Sequence, residues 1–231
     1  MASEVDISNL ALAHLGDSAT VASISPPDGS AQAEYCQRFY PIARDALLER
    51  HDWGFATKRV ALASLSVNAA SGWAYCYAQP TDLVNTIAVL AFDAKSDTSV
   101  GIPSPRGWTD PPLTTGGLYT PQPFILESAA DGTDVVYTDQ VDAVLRYVAR
   151  VTDTTKFSPM FVMCLAASLA SMLAGPVLKG DAGASAAARW GMIAFGQDGK
   201  SGLFGQAAGS DAGQRRSNTR DRQNVAWING R

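Results

Sequence analysis

Between Asp28 and Arg59 the chain reads DGSAQAEYCQRFYPIARDALLERHDWGFATKR, and this stretch limits the fold more than any other. It predicts one long helix that ends on a sharp corner. Asp28 or Ser30 can cap its start, because a short oxygen-bearing side chain accepts the unpaired amides of a first helical turn. Tyr35, Phe39, Ile42, Ala46 and Leu47 recur at helical spacing and predict one apolar face. Arg38, Arg44, Asp45, Glu49 and Arg50 fall largely elsewhere, where acids and arginines can pair along the surface. Pro41 lies inside the helix, removes one backbone hydrogen bond and predicts a kink. Gly54 stops the helix, and Trp53 and Phe55 flank it as two large anchors, so Trp53, Gly54 and Phe55 form a structural corner.

The rest of the chain divides by period. A first helix is expected from about Glu4 to Leu15, capped by Ser3 with Asp6 three residues on, and ended by Gly16. From Lys58 to about Asp153 the pattern alternates, as in strands. Val60, Leu62 and Leu65 read as one strand, and Trp73, Tyr75 and Tyr77 as another. Val84 to Phe92 and Val144 to Val151 are also extended, and Ala129 to Thr133 joins Phe124–Ser128 to Asp134–Thr138 as a hairpin. Ser158-Pro159 opens a further helix with a cap and a proline at its first position. Pro176 is expected to end it. Its Ala166, Ala167, Ala170, Ser171 and Ala174 allow a second helix to approach closely. Ala184 to about Ala208 reads as one last helix, weakened by five glycines at roughly 1 kcal/mol each.

The fold class expected is α+β: a helical bundle built from the N- and C-terminal helices, an inserted antiparallel β region, and an extended C-terminal arm. Residues 1–57 and 155–209 supply the bundle, 58–154 the β region, and 210–231 the arm. A long loop crowded with Pro and Gly, 101–123, holds Trp108, Leu118 and Tyr119 on irregular backbone. A loop of that length usually serves a function, and these three residues are candidates for contact with a neighbouring subunit or another protein.

Charge separates the arm from the body. The chain carries a net −4, but residues 210–231 hold five arginines against two aspartates, leaving −7 for the remainder. An acidic body with a cationic tail predicts that the tail meets an acidic surface. Arg215, Arg216, Arg220, Arg222 and Arg231 are candidates for pairing with carboxylates, while Val225, Trp227 and Ile228 form an apolar hook. Only 17% of residues are charged, a low value more comfortable where much surface is covered in an assembly. A membrane-spanning helix is not expected, for want of a long uninterrupted apolar run. Glu4 and Asp6 stand where an export signal would be basic.

Residues that carry chemistry are sparse. His14 and His51 are the only histidines, and neither stands at a metal-ligand or nucleophile-activating spacing. His14 is expected to meet the carbonyl end of the first helix, and His51-Asp52 to cap the long helix and shape the corner. Cys36, Cys76 and Cys164 are widely spaced and read as reduced core thiols. Gly196-x-x-Gly199 lacks the strand before and the Lys after that a phosphate loop requires. Asp131 to Asp134 lacks the alternating carboxylates of a calcium loop. No cofactor and no metal are expected, and the chain does not read as an enzyme.

An ordered set of residues adds to this reading. Ile7, Asn9, Ala11, Leu12, Leu15 and Gly16 are followed by Asp28-Gly29-Ser30, Ala33, Cys36 and Tyr40. Then come Arg44-Asp45, Leu47-Leu48 and His51-Asp52-Trp53-Gly54-Phe55-Ala56, and after them Tyr75, Tyr77, Pro80 and Asp82. Leu145-Arg146-Tyr147, Phe157-Ser158-Pro159-Met160-Phe161, Trp227 and Arg231 complete it. The series resembles the tail tubular protein A family, the head-to-tail adaptors of short-tailed bacteriophages, over nearly the whole chain apart from roughly 95–122. Pro41 and the Pro/Gly segment depart from the family pattern. The resemblance implies a virion protein assembled in the host cytoplasm. It would form a homo-oligomeric ring, dodecameric in the family, between the portal protein and the tail nozzle protein. Genomic DNA would pass through its lumen without sequence-specific binding, and no membrane would be involved. The C-terminal arm would clip onto the portal, and loops of the β region would meet the nozzle. Two other classes compete: a DNA-binding or packaging accessory protein that uses the basic arm, and a tail-associated enzyme.

Overall fold

The computed structural model describes residues 2–18, 20–67, 71–91, 122–129 and 131–223, and over 215–223 the backbone alone. The chain forms two compact units: residues 1–56 with 151–231, and residues 57–150. The described part of the first unit is helical and the second is built of antiparallel strands, so the α+β class holds.

The helical unit contains α1 (Glu4–His14), α2 (Ala31–Glu49), α3 (Pro159–Leu178), α4 (Gly180–Phe195) and α5 (Gly202–Gln223). The first three begin where their caps place them. The Ser3 hydroxyl accepts from the Asp6 amide while the Asp6 carboxylate accepts from the Ser3 amide, closing a capping box. Ser30 and Ser158 cap α2 and α3 by accepting from Ala33 and Phe161. Asp28 braces the Ser30 cap rather than acting as the cap, accepting from the Ser30 amide and hydroxyl and from the Ala22 amide. These bonds hold its carboxyl down at about 2.

α3 is the centre of the unit and touches α1, α2, α4 and α5. Every residue from Cys164 to Ala170 is buried. The helix is long and apolar enough to cross a membrane by length and composition, but more than half of it is buried inside the unit. Its small residues admit α4: a Cβ added to Gly183 would stand 2.9 Å from the Ala174 carbonyl, and Ser171 donates to the Ala187 carbonyl at 2.8 Å.

Four helical expectations are corrected. α2 buries Ala33, Cys36, Tyr40, Ala43, Arg44, Leu47 and Leu48, not the Tyr35/Phe39/Ile42 face, and Ile42 is 53% exposed. The buried face carries the large Tyr40, Leu47 and Leu48 together with the small Ala33, Cys36 and Ala43. α3 continues through Pro176 by two residues before Lys179 and Gly180 turn at positive φ. The single last helix is two, parted at Gly196–Ser201, where Gly196, Gly199 and Gly202 all adopt positive φ. A Cβ on Gly202 would meet the Ile193 carbonyl at 2.6 Å, so the turn requires glycine there. Lastly, 210–223 is not an extended arm, because α5 runs to Gln223. Its Ala, Gln and Arg residues are good helix formers and no proline interrupts them.

The β unit holds two sheets. One has the order β1 (Thr57–Ala61), β7 (Val144–Ala149), β4 (Leu83–Leu90); the other has β2 (Ser64–Leu65), β3 (Tyr75–Ala78), β6 (Asp134–Thr138), β5 (Phe124–Ser128). The strand expected through Val60, Leu62 and Leu65 is thus two, one in each sheet. Tyr77 and Val136 from one sheet and Val89, Leu145, Tyr147 and Ala149 from the other form a single core cluster. Cys76, Val135 and Tyr137 are buried on the opposite face of the four-stranded sheet, as strand alternation requires.

Candidate functional site

The densest set of specific contacts in the helical unit surrounds the structural corner. Trp53 is fully buried, and its indole Nε1 donates to the Leu47 carbonyl at 2.9 Å in the last turn of α2. That bond satisfies a helix-end acceptor that would otherwise be left without a partner in the core. The ring meets the edge or face of Phe161 at 4.9 Å, Phe55 at 5.9 Å and Phe204 at 6.1 Å. Phe55 in turn packs on Phe157 and Phe161. One corner therefore joins α2, the segment entering α3, α3 itself and α5.

Polar groups at the corner reach the C-terminal helices. The Gly54 amide donates to Asp211 Oδ1 at 3.0 Å, and His51 Nε2 lies 3.3 Å from Asp211 Oδ2. Asp211 therefore receives two groups from the corner, and His51 serves α5 rather than capping α2. Arg50 donates to the Gly199 carbonyl at 3.2 Å and lies over the Phe195 ring at 4.2 Å, tying down the α4–α5 turn. Beside the clamp is a hollow of about 230 Å³ lined by Gly54, Phe55, Lys156, Ser158, Asp211 and Gln214. Its Ser158 hydroxyl is occupied as the α3 cap and Asp211 is held by the corner, so neither is set up as a nucleophile or base.

The second cluster lies in the β unit. Asp82 accepts from Lys58 Nζ at 2.6 Å and from the Tyr147 hydroxyl at 2.8 Å. Burial works against its charge, but these two donors outweigh burial and hold the carboxyl below its usual range. Burial and the bond to Asp82 push the Tyr147 hydroxyl up to about 12. The node fastens the turn before β4 to β1 and β7.

The remaining titratable candidates are structural. The His14 ring stacks on Trp190 at 4.2 Å, and Trp190 Nε1 donates to the His14 carbonyl at 3.1 Å, so an α4 side chain closes the end of α1. Burial lowers the His14 pKa. All three cysteines are buried and unpaired, and burial drives the Cys164 thiol up to about 12. No group of three His, Cys, Asp or Glu suited to a metal occurs among the described residues.

Of the other site residues expected from sequence, Arg215, Arg216, Arg220 and Arg222 stand on the last turns of α5, where only the backbone is described. Val225, Trp227, Ile228 and Arg231 lie outside the described residues, as do Trp108, Leu118 and Tyr119. Sequence reasoning missed Asp211, Phe204 and Arg50, because their roles depend on contacts up to 157 residues apart. In comparisons with known proteins, no family model matches the chain and no curated protein matches it.

Proposed function

We propose that the protein is a head-to-tail adaptor of a short-tailed bacteriophage, a virion component that forms a ring between the portal and the tail nozzle. The genome passes through the lumen of that ring, and the protein works by assembly rather than by catalysis. One observation carries the reading: among the described residues, several of those in the family resemblance serve the frame of a unit. Ile7, Ala11 and Leu12 are buried in α1, while Asn9 bonds both the amide and the carbonyl of Val21. Trp53 is the hub of the aromatic corner, and Asp82 and Tyr147 are bonded to each other. A motif set spent on a frame suits an assembly protein better than one converging on a pocket.

In this reading the ring is dodecameric, the acidic body faces DNA and repels it, and the cationic C-terminal end docks on the portal. The β unit meets the nozzle. The test is negative-stain imaging of purified protein mixed with portal rings, with and without residues 210–231. Rings stacked on portals, lost on truncation, are expected. Failure of the full chain to associate with portal rings, or infectious particles that lack the protein, would sink the proposal. The rival DNA-binding reading predicts that the same truncation abolishes retardation of DNA in a gel, whereas the adaptor reading predicts none to abolish.

A further inference from the structure

The two sheets of the β unit have four edge strands, and three are blunted in recognisable ways. β2 is only two residues long. β1 carries Lys58 and Arg59, both exposed residues. β4 is broken by two register shifts and bridged at Val89 by the Gln122 amide. Shortness, basic charge and bulges are the usual means of stopping a sheet from recruiting another strand. β5 has none of these. It runs five residues in unbroken register with β6, has no Lys or Pro, and leaves Ile125 40% and Leu126 39% exposed.

The direction of its free groups follows from one bond. The Ala129 amide donates to the Thr133 carbonyl at 2.8 Å, across the pair that continues β5 and β6. By alternation the amides and carbonyls of Ile125 and Glu127 face β6, and those of Phe124, Leu126 and Ser128 face outward. Among the described residues nothing pairs with that outward row. Charge then selects the occupant. Residues 122–139 contain Glu127, Asp131, Asp134 and Asp139 and no Lys or Arg, and no strand of this sheet carries a basic residue. A second copy paired through its own β5 would bring two acidic edges together, Glu127 against Glu127, with Asp131 and Asp134 close behind. An extended cationic segment would meet them favourably.

We infer that the β5 edge is an acceptor for an extended, lysine- or arginine-bearing segment of a partner protein, which adds to the four-stranded sheet as a further strand. The inference stands apart from the ring reading, since the edge could bind in a protein that never meets a portal.

The probe is a capped fluorescent heptapeptide, Lys-Val-Lys-Val-Lys-Val-Lys, titrated with the full chain and read by anisotropy. Binding is expected, weakened severalfold by Glu127→Lys or by raising salt from about 50 to about 300 mM. Leu126→Pro removes an outward amide but no bond to β6, a place where an edge strand tolerates proline. It should weaken binding about tenfold or more. If that variant does not fold, the wild-type chain titrated with the same peptide N-methylated at its valines gives the equivalent result, loss of binding. Equal binding of the N-methylated peptide or of a Glu-Val heptapeptide overturns the inference, as does a folded Leu126→Pro that binds like wild type. Dimers of the wild-type chain that Leu126→Pro dissolves would also overturn it, since they would make the occupant a second copy.

Discussion

Replacing Trp53 with Phe tests whether the corner is the energetic hub that its contacts describe. The substitution keeps an aromatic ring among Phe55, Phe161 and Phe204 but deletes the indole N–H that donates to the Leu47 carbonyl. Leu47 is fully buried, so its carbonyl loses its side-chain partner with little access to water. A lost buried hydrogen bond costs about 1–3 kcal/mol. The smaller ring also leaves a hollow in a fully buried site, adding about 1 kcal/mol. Together these destabilise the helical unit by about 2–4 kcal/mol. For a unit of this size that lowers the melting temperature by about 6–12 °C. Thermal unfolding followed at the helical circular-dichroism band, with urea unfolding in parallel, measures it. A loss of less than about 1 kcal/mol would refute the reasoning, because the bond and the packing would then be contributing nothing specific.

Two further outcomes follow from the same unit. Asp211→Ala removes both acceptors of the clamp, so the Gly54 amide and the amides of α5 should exchange with solvent about tenfold faster, as hydrogen exchange would report. Burial lowers the folded-state pKa of His14, so its contribution is fully present above the unfolded value near 6.5 and is lost as pH falls through the folded one. Melting temperature measured from pH 7.5 to pH 5 should therefore decline less steeply in His14→Gln than in the wild type.

Local chemistry was legible in the residues. Ser3, Ser30 and Ser158 mark helix starts because a cap acts within three residues of itself, and the Ala129–Thr133 hairpin is set by its own turn. The change of period predicts a β region over 58–154, and the strand-built unit spans 57–150. What escaped was decided at a distance. The buried face of α2 is set by where α3 and α1 lie against it, which the helical spacing of Tyr35, Phe39 and Ile42 does not state. The break at Gly196–Ser201 needed the knowledge that these glycines take positive φ, which composition does not state. Basic, uninterrupted residues after Ser210 suit a solvated arm and a helix equally, and the clamp at Asp211 anchors the helix. Trp53, Gly54 and Phe55 were legible as a corner, but their partner on α5 was not.

The division of the chain sets an order of events during synthesis. The β unit is one continuous stretch, 57–150, and can close as soon as it clears the ribosome. The helical unit has no such freedom. α1 and α2 rest chiefly on α3, which begins only at Pro159. At a translation rate of about 5–20 residues per second, roughly 5–20 s elapse between the corner and that helix. Through that interval the apolar sides of two finished helices wait uncovered while a complete neighbour folds between them and their partner in the sequence.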